Sequence, residues 1–173
     1  MDLQKFDAEE LIALSQLDLE NNNVAGALEK IKAALDYQDC PVVANALAAK
    51  IYAQLKLHHK AKPLFATFLE ANPNAVTERF QLGMVNLESG EQQTALEIWG
   101  NILEVEPTHA PSLYFSAIAN LELNNRDDAE RHLNVLLQSA PSDNLYFGKG
   151  KELLDDLNNS TIPSTNKPQD IYQ

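Results

Sequence analysis

The chain has 173 residues and a formal net charge of -12. The length suits one domain, and the charge argues against a nucleic-acid partner or an anionic membrane surface, since no basic stripe is present to neutralise phosphates. Cys40 is the only cysteine, which excludes an internal disulfide and is compatible with a reducing compartment. The first seven residues lack a basic region followed by an apolar one, so no signal peptide is expected. No apolar run approaches the roughly 18 residues of a membrane span. Together these point to a cytoplasmic protein.

Taken in chain order, Asp7-Ala8-Glu9-Glu10 has the form of a capping box, an N-cap acid with a glutamate three residues on. It opens a helix expected to run to about Glu20. Asn21-Asn22-Asn23 is a turn, and Asn23 caps a second helix over 24–35. Pro41 suits the first turn of a helix over 42–54. The next helix is expected over 60–70, starting no earlier than His59. Pro63 then falls where the first N–H groups have no intrahelical partner. Helices follow over 75–88 and 92–105. Thr108 is expected to cap a helix over 109–123, with Pro111 in its first turn. Arg126-Asp127-Asp128 opens another, with acids where the helix dipole favours them. Ser142 can cap a last helix through Leu157, with a break or fraying expected near Gly148 and Gly150. Residues 158–173 have no periodicity, contain Pro163 and Pro168, and read as a disordered tail.

These elements repeat. Alanine recurs at one constant interval, as Ala27, Ala61, Ala95 and Ala129. In the same register stand Ile31/Phe65/Trp99/Leu133, Leu35/Leu69/Leu103/Leu137 and Pro73/Pro107/Pro141. The turn position is Asn22/Lys56/Gly90/Asn124. Two antiparallel helices approach closely only where one offers a small side chain, and the alanine column supplies it. One pair cannot bury its own apolar face, so neighbours must stack. The repeats fall at about 8–41, 42–75, 76–109 and 110–143, with a capping helix at about 144–157. A single domain over 1–157 is expected.

Leu82-Gly83, then Ala95 with Trp99 one turn on, then Pro107, all inside one repeat, resembles the tetratricopeptide pattern, whose period of about 34 residues is also the interval of these columns. The resemblance covers about residues 8–143 and implies an all-α fold, an α-solenoid of four antiparallel helix pairs. The family's opening aromatic is replaced by Leu11, Asn45, Arg79 and Leu113. Its glycine is Ser15, Ala49 and Ala117 outside the third repeat. Its tyrosine survives only as Tyr52, with Asp18, Asn86 and Asn120 elsewhere.

No residues converge on catalysis, and no enzyme activity or cofactor is expected. His58 and His59 are adjacent, whereas two metal ligands on one helix face need a spacing of three or four, so no metal site is expected either. The family resemblance instead implies that the first helix of each repeat lines a concave groove. Its columns here are Ile12/Ala46/Phe80/Tyr114, Gln16/Lys50/Met84/Ile118 and Leu19/Ala53/Leu87/Leu121. Members that bind chaperones grip a terminal carboxylate with Lys, Asn and Arg in such columns, and this chain has only Lys50. The rest is largely apolar. Phe80, Met84, Leu87, Tyr114, Ile118 and Leu121 are expected to form one patch, with Phe80, Met84, Tyr114 and Ile118 partly exposed unless the C-terminal helix fills the groove. The expected function is a protein–protein interaction module, an adaptor or chaperone-like assembly factor. It would take an apolar or amphipathic polypeptide segment with basic flanks. The alternative is a self-associating scaffold whose groove is a homo-oligomer interface.

Overall fold

The computed structural model of the protein describes residues 2–159. The tail expected at 158–173 lies outside them, apart from Asn158 and Asn159, which close the last helix. The described residues contain helices and no strands, and no helix is long and apolar enough to cross a membrane. The chain resolves into two compact units, Met1–Pro107 and Thr108–Gln173.

The first unit holds a short 3₁₀ turn, Leu3–Lys5, and six helices: α1 (Ala8–Glu20), α2 (Val24–Leu35), α3 (Val43–Gln54), α4 (His58–Ala71), α5 (Val76–Glu88) and α6 (Gln92–Val105). They pack as the pairs α1/α2, α3/α4 and α5/α6, with α3 stacked on α2 and α5 on α4. The Asp7 carboxylate accepts from Glu10 N at 2.8 Å, and Asp7 N donates back to the Glu10 carboxylate at 3.0 Å, forming the expected capping box. Asp18, where the family has tyrosine, forms an ion pair with Lys30 of α2. The hydrogen bond from that ammonium is the main reason its carboxyl is held below the usual range.

The second unit holds α7 (Ala110–Glu122), α8 (Arg126–Ser139) and α9 (Leu145–Asn159). α7 and α8 form a pair, and α9 lies against both.

The turn column has a single backbone reason. Asn22, Lys56, Gly90 and Asn124 have φ of 57°, 57°, 78° and 61°, the left-handed conformation. In each turn the residue after it donates to the carbonyl five residues back, at 2.7–2.9 Å: Asn23 to Asp18, Leu57 to Tyr52, Glu91 to Asn86 and Asn125 to Asn120. These are Schellman closures, which satisfy the last carbonyls of the first helix of each pair. The alanine column is wholly buried, as are Ile31, Phe65, Trp99 and Leu133.

Several expectations need correction. α4 begins at His58, before the expected limit, because Lys60 N and Ala61 N both donate to Leu57 O as soon as the turn ends. Pro63 is therefore the sixth residue of the helix, inside it. The carbonyl it leaves unserved is that of His59, an exposed residue, where water can take the place of the missing N–H. The cap of α7 is His109, not Thr108: Ser112 N donates to its ring Nδ1 at 3.3 Å. Pro41 stands just ahead of α3, its carbonyl accepting from Ala44 N. α9 does not break at its glycines. It is continuous, and Gly150 is buried.

Candidate functional site

The first-helix columns are positioned by the Schellman turns and by the inter-helix packing on the opposite face of each first helix. In the first unit, Ile12 is 7% exposed and Leu87 3%, so both belong to the core. Gln16 is exposed, and Leu19 and Phe80 are half-buried. The Phe80 ring lies 6.0 Å from that of Trp99, and its carbonyl accepts from the indole Nε1–H at 3.2 Å. Phe80 is therefore tied to the α5/α6 packing and is not a freely presented side chain.

Lys50 and Met84 come together. They line a pocket of about 310 Å³ between α3 and α5, together with Ala53, Gln54, Gln81 and Glu88. Ala53 and Val85 join Met84 as its apolar wall. The Lys50 ammonium lies 2.7 Å from the Glu78 carboxylate, so it is already engaged by an acid. Lys56 pairs with Glu88 at 2.8 Å on the opposite rim. The side-chain oxygen of Gln81 is buried with no hydrogen-bond donor. An unpaired buried acceptor costs about 1–3 kcal/mol, and Gln81 is one of the residues that line the pocket. Gln81, Gln54 and Glu88 were missed from sequence because they stand beside the groove columns. The one available signal was the preference of pockets for a few polar groups among apolar ones.

In the second unit the groove residues are more covered than expected. Tyr114 is 7% exposed and Ile118 2%, against the expectation that both show apolar surface; Leu121 is half-buried. For Tyr114 the reason is α9, whose Tyr146 ring lies 5.6 Å from Tyr114 and 6.1 Å from Phe115. Burial pushes the Tyr114 phenol above its usual range, with Glu152 and Tyr146 adding in the same direction. Cys40 is half-buried, and burial likewise raises its thiol, the opposite of what a reactive thiolate needs.

Neither a protein-family profile nor a curated protein matches the sequence. Solved structures do match by fold. YrrB, described as a TPR protein with an unusual peptide-binding site, superposes with a TM-score of 0.76 at 21% identity, over 84% of this chain and 74% of its own. A tetratricopeptide repeat protein from Parabacteroides merdae gives 0.75 at 20% identity, over 87% of this chain and 60% of its own. MamA from Desulfovibrio magneticus gives 0.72 at 18% identity, over 86% of each chain. The fold is a tetratricopeptide-type helical repeat, all-α and of the α-solenoid class.

Proposed function

We propose that the protein is a cytoplasmic protein–protein interaction module, an adaptor or chaperone-like assembly factor, that takes an apolar or amphipathic polypeptide segment in its concave groove. The observation carrying this reading is the pocket between α3 and α5. Met84, Ala53 and Val85 offer apolar wall, and Gln81 offers a buried acceptor with no donor. A backbone N–H of a bound segment would satisfy that acceptor once the Gln81 amide turns toward the pocket, while an apolar side chain covers Met84, whose adaptable thioether suits such contacts. The fold likeness to YrrB, described as having a peptide-binding site, supports the class of ligand. Met84→Glu places a charge on the pocket wall and is expected to abolish capture of the partner with little change in melting temperature. Recovery of the same partners at wild-type levels in affinity capture with mass spectrometry would remove the groove from the reading.

Self-association is a second reading, and Leu17 favours it. Leu17 is 52% exposed, whereas Ile51 and Val85, at the same repeat position in α3 and α5, are 0% and 3% exposed. The stacking surface of α1 thus leaves one leucine uncovered. Concentration-dependent sedimentation separates the two readings: an adaptor stays monomeric and a scaffold does not.

A further inference from the structure

The opening position of the repeat is filled unequally within the first unit. In the first repeat it holds Leu11, fully buried in one cluster with Ala34 of α2 and flanked by Leu3 and Phe6. In the third repeat it holds Arg79, half-buried, and Ile102 stands where Ala34 does. The Arg79 guanidinium lies toward the loop before α5, where its Nη2 donates to Pro73 O at 2.6 Å. Beside it lies a pocket of about 510 Å³, with Val76, Ile102 and Val105 as its apolar lining and Arg79, Asn74 and Asn101 among its polar groups. Val105 is 79% exposed, the most uncovered of the large apolar side chains described. None of these residues lines the pocket between α3 and α5.

We infer that this slot is a second binding site, which takes an apolar or aromatic group bearing a carboxylate. Its apolar part would lie against Val76, Ile102 and Val105. Its carboxylate would pair with Arg79. That guanidinium has five N–H donors, one hydrogen bond to Pro73 O, and no ion pair among the described residues. A planar guanidinium receives a carboxylate by two parallel bonds, which sets orientation as well as charge. Glu106 also lines the pocket, but it is exposed, and water and salt screen its field more than that of half-buried Arg79. The net preference is therefore for a single negative charge. The same chemistry is available on a free aryl or alkyl acid and at the end of a peptide with an apolar last residue.

The test is a methyl-resolved NMR titration of the full chain. The probes are 3-phenylpropionate, 3-phenylpropan-1-ol, 3-phenylpropylamine, acetyl-Gly-Gly-Phe and the amide of that peptide. Either or both acids should shift the Val76, Ile102 and Val105 methyls, and each acid that binds should do so about tenfold more tightly than its neutral counterpart, the worth of one charge-assisted contact. Binding by the free acid alone identifies a small-molecule ligand, and preference for the peptide acid identifies a polypeptide end. Arg79→Leu restores the residue type of the first repeat and should abolish binding while raising the melting temperature. Val105→Glu changes only an exposed rim residue and should abolish it without affecting the fold. The inference is overturned if neither acid moves these methyls, if the alcohol or the amine moves them as strongly, or if the two variants bind like wild type.

Discussion

At the scale of single residues, side-chain size in the first helix is matched to its partner in the second. The column Ser15, Ala49, Gly83, Ala117 stands in register with Ile31, Phe65, Trp99, Leu133. The only glycine in it accompanies the only tryptophan. A Cβ built at Gly83 would lie 2.2 Å from the Trp99 indole nitrogen and 2.6 Å from Cε2. The indole cannot swing away without losing its bond to Phe80 O and its fully buried site. Gly83→Ala is therefore expected to lower stability by about 1–3 kcal/mol, the usual cost of overpacking, even though alanine is the better helix former. In a Trp99→Leu background the same change should cost much less. Thermal or urea unfolding of the four variants measures the coupling. Equal costs in both backgrounds would show that the glycine serves something other than the indole. Ser15 illustrates the same column with different chemistry: its hydroxyl donates to Ala27 O across the helix pair at 2.9 Å, so a buried polar group is satisfied where alanine stands in the second and fourth repeats.

At the scale of elements, α9 packs on the α7/α8 pair much as α3 packs on α1 and α2. Gly150 stands one repeat interval after Ser116 of α7, and a Cβ there would lie 2.7 Å from Leu136 Cδ2 and 3.6 Å from Leu133 Cδ2 of α8. The glycine that weakens the helix in isolation is what lets it dock closely. Tyr146 packs on Tyr114 and Phe115 at one end, and the Arg126 guanidinium donates to Leu157 O at the other, at 2.5 Å. Gly148 has nothing within 4 Å of its would-be Cβ. The two glycines should therefore respond oppositely. Gly148→Ala is expected to stabilise by about 1 kcal/mol through helix propensity. Gly150→Val is expected to loosen α9 from α8 and raise amide hydrogen exchange across Leu145–Asn159. If the valine variant exchanges like wild type, the close approach is not what holds α9.

At the scale of the whole molecule, charge is distributed with a consequence for association. Residues 1–71 carry ten acids against seven Lys or Arg, and residues 72–173 fifteen against six. Three of the lysines are engaged between consecutive repeats of the first unit: Lys50 with Glu78, Lys56 with Glu88 and Lys62 with Glu91. Between residues 80 and 125 there is no Lys or Arg, and Glu97, Glu104 and Glu106 are exposed without an ion pair among the described residues. A groove ligand with Lys or Arg flanking its apolar segment would be steered by this field. Its association rate should fall as salt shortens the Debye length toward about 8 Å at physiological ionic strength. Its dissociation rate, set by the buried apolar contacts, should change little. Stopped-flow measurements across ionic strength check this, and a salt-independent on-rate would argue against basic flanks.

The sequence by itself determined the helix pairs, their constant period, the buried alanine column and the turn position. Each depends on short-range chemistry repeated in register: a small side chain for close approach, a positive φ for the Schellman closure, a proline to end the second helix. Lys56 was legible as a turn residue only because it shared a column with Asn22, Gly90 and Asn124. Which groove residues are accessible was decided by tertiary structure. Tyr114 stands in the same column as Phe80, yet it is buried, because Tyr146 arrives from α9, beyond the whole of α8 in the chain. The slot beside Arg79 was likewise invisible, since its lining comes from the loop before α5 and the end of α6, which only the packing brings together. Periodicity reports which face of a helix turns inward. What covers the other face depends on which helices arrive there from elsewhere in the chain and how closely their backbones approach, and no local pattern encodes that.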